Sequence, residues 1–90
     1  MNVQFTVNWA LDQHDEVVRT ITREAIEQIN AFATEHGTSH RYRYLNYCAA
    51  WQKPFESYGE ENTSFLKNVS RDVDPEGLFQ RGCGGGFKLG

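Results

Sequence analysis

The sequence has 90 residues, enough for one domain with a thin core, because a chain of this size buries only about 60–65% of its unfolded surface. Hydrophobic residues make up 39% of it and aromatic residues 13%, and nine basic against twelve acidic residues give a net charge of -3. This charge argues against nucleic acid as a partner, and the lack of a long apolar run or a basic, then apolar, N-terminus argues against a membrane span or a secretory signal. We therefore expect a single cytoplasmic domain over residues 1–90.

The first predicted elements are a strand and a long helix. Apolar and polar residues alternate over residues 3–9, which predicts a half-buried strand. The helix is predicted to begin at the N-cap Asp12 and to end at Gly37, a residue suited to a left-handed C-cap. Its apolar face is predicted to comprise Val18, Ile21, Ala25, Ile29 and Phe32.

The second half of the chain predicts another strand, a loop, a shorter helix and a tail. The strand covers residues 39–47, and the helix runs from Glu60 to Arg71 and stops at Asp74-Pro75. Its predicted inward residues are Phe65, Leu66, Val69 and Val73. Leu78 and Phe79 are expected to pack back onto the sheet, ahead of a glycine-rich tail at residues 82–86.

This order of elements predicts an α+β fold, a strand-helix-strand-helix unit whose long helix packs on a small sheet. Two strands alone are only marginally stable in water. We therefore expect a second copy of the chain to complete the sheet, in a homodimer or a higher oligomer.

The second strand carries the best candidate site. Alternation places His40, Tyr42, Tyr44 and Asn46 on one face. Side chains at alternate strand positions lie roughly 6.5–7 Å apart, so hydrogen-bonding groups at this spacing suit a flat aromatic or polyketide-like small molecule. The alternative is structural: the tyrosine rings cover the long helix and send their hydroxyls to solvent. The spacing alone leaves both interpretations open.

Other chemistry has weaker support. The histidines and the two cysteines, Cys48 and Cys83, lack the short paired spacing of structural zinc sites, so no metal is expected. Both cysteines are expected to be free thiols. A nucleophilic pair of Cys48 with His40 would have to reach along one strand, and no strand-loop-helix context makes the glycine tail a phosphate loop.

Four segments are informative by their order and spacing: Tyr44-Leu45-Asn46-Tyr47, Ser57-Tyr58-Gly59-Glu60-Glu61-Asn62, Asp74-Pro75-Glu76-Gly77-Leu78-Phe79-Gln80 and Gly85-Gly86-Phe87-Lys88-Leu89. They resemble the C-terminal end of the berberine-bridge-enzyme-like FAD-linked oxidoreductases, particularly fungal members. The resemblance is good over residues 42–90 and weak over residues 3–37. It departs from the family pattern at Cys48-Ala49, at Val73 and at Gly82-Cys83-Gly84.

The resemblance implies a place beside a flavin. In the parent enzymes the Tyr-x-Asn-Tyr strand lines the floor of the active site, so Tyr44 and Asn46 would face a ligand. The part that holds FAD in those enzymes has no counterpart in these 90 residues. The chain alone is therefore expected to bind no cofactor, and FAD would enter only with a partner domain.

Three functions remain open at this point. The leading hypothesis is a stand-alone small-molecule-binding protein, such as a non-redox cyclase or isomerase of a natural-product intermediate, because Met1 directly precedes the first strand and Gly90 lies one residue past the family's terminus. The alternatives are a complementing fragment of a flavin-dependent oxidoreductase and a folded remnant without activity. The predicted catalytic residues are Tyr44, His40 and Tyr42, and the predicted substrate-binding residues are Asn46, Tyr47, Trp51 and Arg43.

Overall fold

The computed structural model describes residues 2–90, whose backbone contacts form two groups, one ending at His40 and one running from Arg41 to Gly90. The elements are a 3-10 turn at Asp12–His14, helix α1 at Asp15–Glu35, a second 3-10 turn at Leu45–Tyr47, and helices α2 at Pro54–Ser57, α3 at Glu60–Val73 and α4 at Leu78–Arg81. Within residues 2–90 there is no β-strand. The predicted α+β fold is therefore wrong, and the described chain is helical.

Both predicted strands fail for the same physical reason. Alternating sequence favours an extended backbone, but a strand forms only where a neighbouring backbone pairs with its N–H and C=O groups. Residues 3–9 and 39–44 meet no such neighbour in the described chain. The second segment then turns, because Tyr47 and Cys48 donate backbone hydrogen bonds to the carbonyls of Tyr44 and Leu45, at 3.0 and 3.2 Å.

Helix α1 confirms the predicted helix and its C-terminal signal. Gly37 has a φ of 66° and donates its N–H to the carbonyl of Thr34 at 3.1 Å, while Thr38 donates to that of Ala33 at 2.9 Å. These two bonds are those of a Schellman cap. The helix begins later than predicted: Asp12 lies in the preceding 3-10 turn, and the indole N–H of Trp9 donates to the Asp15 carboxylate at 2.6 Å.

Most of the predicted apolar face of α1 is exposed, since Val18 alone of its five residues is half-buried. Ile21 and Phe32 are 60% and 63% accessible, and Val17 and Ile29 share their side of the helix and are also exposed. The half-buried side chains lie on the adjoining side of α1, and they are Val18, Thr22, Ile26, Asn30 and Ala33. The three- and four-residue spacing of apolar side chains correctly predicts helix α1. However, most of the apolar face that this spacing selects is not covered by other described residues up to His40.

Helices α3 and α4 show the same exposure. Helix α3 covers the predicted range and ends before Asp74, whose two carboxylate oxygens accept the N–H groups of Leu78 and Phe79 at 2.8 and 2.9 Å. These bonds start α4, so Leu78 and Phe79 do not pack onto a sheet. Both side chains are exposed, as are Phe65, Val69 and Val73 on α3.

The described chain has no dry core. Of residues 2–90 only Pro54 is buried, and no hydrophobic side chain is. Burying one large apolar side chain contributes about 1.5–3 kcal/mol, so the exposed faces of α1 and α3 represent a large unused driving force. No helix in the described range is long and apolar enough to cross a membrane.

Candidate functional site

Most of the predicted site residues lie in one stretch of the second part of the chain. Tyr42, Arg43, Tyr44, Asn46, Tyr47 and Trp51 belong to the part that begins at Arg41, whereas His40 is the last residue of the other part. The prediction that four alternate side chains share one strand face is wrong, because the Leu45–Tyr47 turn replaces the strand. The Leu45–Tyr47 turn instead brings the side chains of Tyr44, Asn46 and Tyr47 together.

Tyr44, Asn46 and Tyr47 are in direct contact. The carboxamide N–H of Asn46 donates to the Tyr44 hydroxyl oxygen at 2.9 Å. The rings of Tyr44 and Tyr47 meet edge to face, with centroids 4.8 Å apart. Because Asn46 supplies a donor to the Tyr44 oxygen, the Tyr44 hydroxyl proton points elsewhere and can be donated to a ligand.

A second group of aromatic rings contains Tyr42, which lies shortly before this turn in the sequence. Tyr42 stacks on Tyr58 with ring centroids 5.6 Å apart, and Phe55 meets Tyr58 edge to face at 5.9 Å. Such offset and edge-on pairs add about 0.5–1.5 kcal/mol beyond the area they bury. Tyr58, which was not among the predicted site residues, is therefore the centre of the cluster. Its only sequence signal was its place beside Gly59 in the second family-like segment.

The surroundings of Tyr58 alter its acidity. Burial raises the pKa of Tyr58 above its usual value of 10.0, and the ionisable groups of Tyr42, Cys48 and Tyr44 raise it further, while a backbone hydrogen bond at Leu45 lowers it. These neighbours place the Tyr58 hydroxyl beside the 3-10 turn. The phenol therefore stays protonated, as a hydrogen-bond donor, at every physiological pH.

This pKa makes a spectroscopic prediction. Alkaline titration of the chain, followed by phenolate absorbance, should show a tyrosine ionising above pH 10 that is absent from Tyr58→Phe and present in Tyr47→Phe. Since the folded pKa is raised, this group's contribution to stability is fully present below about pH 10 and is lost as the pH rises through the folded pKa. An unchanged titration in Tyr58→Phe would contradict the placement of this residue.

The arginine predicted to bind substrate is bound to its own chain. The guanidinium of Arg43 donates to the carbonyls of Arg41 and Tyr42 at 3.3 and 3.1 Å. Its backbone N–H donates to Ser57 Oγ at 2.9 Å, and that hydroxyl donates to the Pro54 carbonyl at 2.5 Å. These contacts fasten the tyrosine-bearing segment to α2, so Arg43 holds the cluster in place.

Cys48 and Trp51 border the cluster. The Cys48 thiol donates to the Tyr44 carbonyl at 3.3 Å. The pKa of Cys48 is raised, because the effect of burial exceeds the opposing effect of the Arg43 charge. A raised pKa disfavours the thiolate and hence a nucleophilic role. Trp51 is half-buried. In the described residues no group of His, Cys, Asp and Glu side chains could hold a metal ion.

A tight connection between α2 and α3 positions Tyr58. Thr63 Oγ1 donates to the carbonyls of Phe55 and Gly59 at 2.7 and 2.8 Å, and Asn62 Nδ2 donates to that of Tyr58 at 2.9 Å. Gly59 takes a φ of 87° and a ψ of 158°, a conformation open only to glycine. These bonds tie the end of α2 to the start of α3, and the Tyr58 ring between them stacks on Tyr42.

The aromatic cluster presents rings and hydroxyls at an exposed surface. Its rings and hydroxyls suit a planar aromatic molecule such as a substrate or an isoalloxazine ring. Tyr42, Tyr44 and Tyr47 are 40%, 38% and 54% exposed, however, so the described residues leave the site open. They therefore supply one wall of a site.

Comparison with known proteins identifies the kind of protein in which this segment occurs. The chain is 38% identical over 89 residues to the FAD-dependent monooxygenase sdcF of Emericella nidulans, covering 99% of the chain and 19% of that protein. It is 39% identical over 85 residues to the FAD-dependent monooxygenase tpcD of Cochliobolus heterostrophus, covering 94% and 16%. It is 31% identical over 81 residues to the bifunctional solanapyrone synthase of Alternaria solani, covering 90% and 16%.

The matches describe a part of those proteins. No protein-family model matches the chain. No solved structure matches it. The chain spans less than a fifth of the length of each of these three relatives. It therefore corresponds to one segment of fungal FAD-dependent monooxygenases.

Proposed function

We propose that the chain is the substrate-side segment of a berberine-bridge-type FAD-dependent oxidoreductase and acts only when packed on a flavin-binding part, on the same or a separate polypeptide. The matched monooxygenases support the flavin-dependent chemistry. The Tyr-x-Asn-Tyr segment and the three other family-like segments support the berberine-bridge type. Bound FAD would supply the two-electron chemistry, and the chain would bind and orient the substrate.

One observation carries the proposal: the described chain buries no hydrophobic side chain. Part of the exposed apolar surface lies on helix stripes, with Ile21 and Phe32 on α1 and Phe65 on α3. Contiguous apolar surface of this kind marks a surface that another protein surface covers. The chain covers less than a fifth of the matched monooxygenases, and a flavin-binding part within the remainder would cover this surface.

In this proposal the aromatic cluster forms the wall opposite the flavin. Tyr44 would donate its hydroxyl proton to a substrate oxygen, and Asn46 would hold that hydroxyl at the 2.9 Å contact. Tyr42 and Tyr58 would present ring faces to an aromatic substrate. His40 keeps its predicted catalytic role only as a prediction, since it belongs to the other part of the chain.

The stand-alone cyclase or isomerase is the second candidate. It would use the same hydroxyls without flavin, and a homodimer could cover the same apolar stripes. The exposure of Tyr42, Tyr44 and Tyr47 favours it less, because excluding water from a site strengthens the electrostatic interactions inside it. It predicts a folded dimer that converts substrate in the absence of any flavin.

The test is a joined protein, in which this chain replaces the matching segment of the sdcF monooxygenase. We expect the joined protein to retain FAD through gel filtration and to be stable, while the same monooxygenase without the segment is not. The isolated chain should retain no FAD. A joined protein that folds but loses FAD, or an isolated chain that scatters light as a stable dimer and retains activity, would contradict the proposal.

Tyr44→Phe tests the site within the joined protein. Loss of a general-acid hydroxyl should lower kcat by roughly 100-fold or more, while the hydroxyl's net contribution to stability is only about 1 kcal/mol. FAD retention should be unchanged. The comparison variant is Tyr47→Phe, which removes a hydroxyl from the ring in contact with Tyr44 and should lower kcat far less. Equal effects of the two variants would exclude the role assigned to Tyr44.

A further inference from the structure

A second site lies away from the aromatic cluster, at the C-terminal end of α3. A half-open groove of about 470 Å³ is formed by α3, the 74–77 turn, α4 and the tail at residues 88–90. Its cationic side chains are Lys67, Arg71, Arg81 and Lys88. The third and fourth family-like segments of the sequence, which the aromatic cluster does not use, build two of its walls.

The groove follows from the order of residues. Lys67, Ser70 and Arg71 are three and four positions apart and therefore share one face of α3. The Gln80 carboxamide oxygen accepts the N–H of Leu89 at 2.9 Å, which ties the tail to α4 and brings Lys88 to the rim. The Arg81 guanidinium lies over Gly77 and donates to the Glu76 carbonyl.

The charge of the groove is opposite to that of the chain. Only two acidic side chains, Asp74 and Glu76, line it together with the four cations, so its side chains carry an excess of two positive charges in a chain of net charge -3. Both oxygens of Asp74 are engaged by the backbone N–H groups at the start of α4. Among residues 2–90 none of the four cations forms an ion pair.

We propose that this cationic groove binds the phosphate groups of a small phosphorylated molecule. Two guanidinium groups and two ammonium groups, with the Ser70 hydroxyl beside them, match a pyrophosphate-like anion, because guanidinium groups bind phosphate oxygens in pairs. The volume is that of a small-molecule site. The phosphates could belong to a flavin dinucleotide or to a separate phosphorylated metabolite, and the inference stands independently of the proposed function.

Calorimetric titration of the chain tests the proposal with three probes: inorganic pyrophosphate, FAD and riboflavin, which lacks phosphate. We expect pyrophosphate to bind and its affinity to fall as salt is added. If FAD binds and pyrophosphate displaces it, the phosphate groups that the groove recognises are those of a dinucleotide. If pyrophosphate binds and FAD does not, they belong to a separate phosphorylated metabolite. No binding of pyrophosphate, or binding of riboflavin as tightly as pyrophosphate, would overturn the proposal.

Charge reversal gives the matched control. Lys88→Glu and Lys67→Glu should each weaken pyrophosphate binding about tenfold or more. Lys53→Glu makes the same change at an exposed lysine in the same part of the chain, paired with Glu56 at 3.5 Å, and should weaken binding less than about twofold. All three positions are exposed, so circular dichroism should show unchanged helix content. Equal weakening by all three variants would mean non-specific attraction and would overturn the proposal.

Discussion

Gly59→Ala is expected to destabilise helix α3 and the turn before it by about 1–3 kcal/mol, because Gly59 adopts a φ of 87° and a ψ of 158° that other residues avoid. The added Cβ would also lie 2.8 Å from an Arg41 guanidinium nitrogen. That side chain is flexible and can move away, so the backbone strain dominates the cost. Protection of the α3 amides from hydrogen exchange in the joined protein should fall by roughly 5- to 150-fold.

Gly84→Ala is the control for this prediction. Gly84 has no positive φ, and an added Cβ would meet no atom within 4 Å. The same change of residue should therefore alter stability by less than about 0.5 kcal/mol. If both variants leave the exchange of α3 unchanged, the conformation of Gly59 does not hold α2 and α3 together.

Phe32→Asp is expected to have the largest effect on assembly. Phe32 is 63% exposed and stacks on His36, with ring centroids 4.1 Å apart. If the flavin-binding part covers this face of α1, the variant loses a buried ring and buries a carboxylate, at a cost of about 3–5 kcal/mol or more. The joined protein should then melt at a much lower temperature and lose FAD.

Thr20→Asp is the matched control on the same helix. Thr20 is also exposed and neutral, and it lies about 120° around α1 from Phe32. Its replacement should change stability by about 0.5 kcal/mol or less. A joined protein that tolerates Phe32→Asp as well as Thr20→Asp would show that this face of α1 remains in water.

Local signals in the sequence predict the helices and their ends well. Gly37 closes α1 and Asp74-Pro75 closes α3 because capping depends on residues a few positions apart, which the sequence shows directly. The strands at residues 3–9 and 39–47 are wrong because pairing is non-local. Alternation shows what a segment favours and does not show whether a partner strand exists.

The buried faces are a related failure. Periodicity selects Ile21 and Phe32 on α1 and Phe65 on α3 as core residues, and all three are exposed. Each pattern identifies an apolar face, but it cannot show which surface, if any within these 90 residues, buries that face. Similarly, alternation places Tyr44 and Asn46 on one strand face and Tyr47 on the other, whereas a 3-10 turn brings Tyr47 against Tyr44. Tyr58 stacks on Tyr42, a contact 16 residues apart that a local pattern does not reveal.

The central claim is that another protein surface completes this chain, and amide hydrogen exchange of α1 and α3 tests it most directly. We expect both helices to exchange at least roughly 100-fold more slowly in the joined protein than in the isolated chain, since covering their apolar faces stabilises them by several kcal/mol. Equally slow exchange in the isolated chain, as a monomer or as a dimer, would show that the chain completes its own core and would contradict the account.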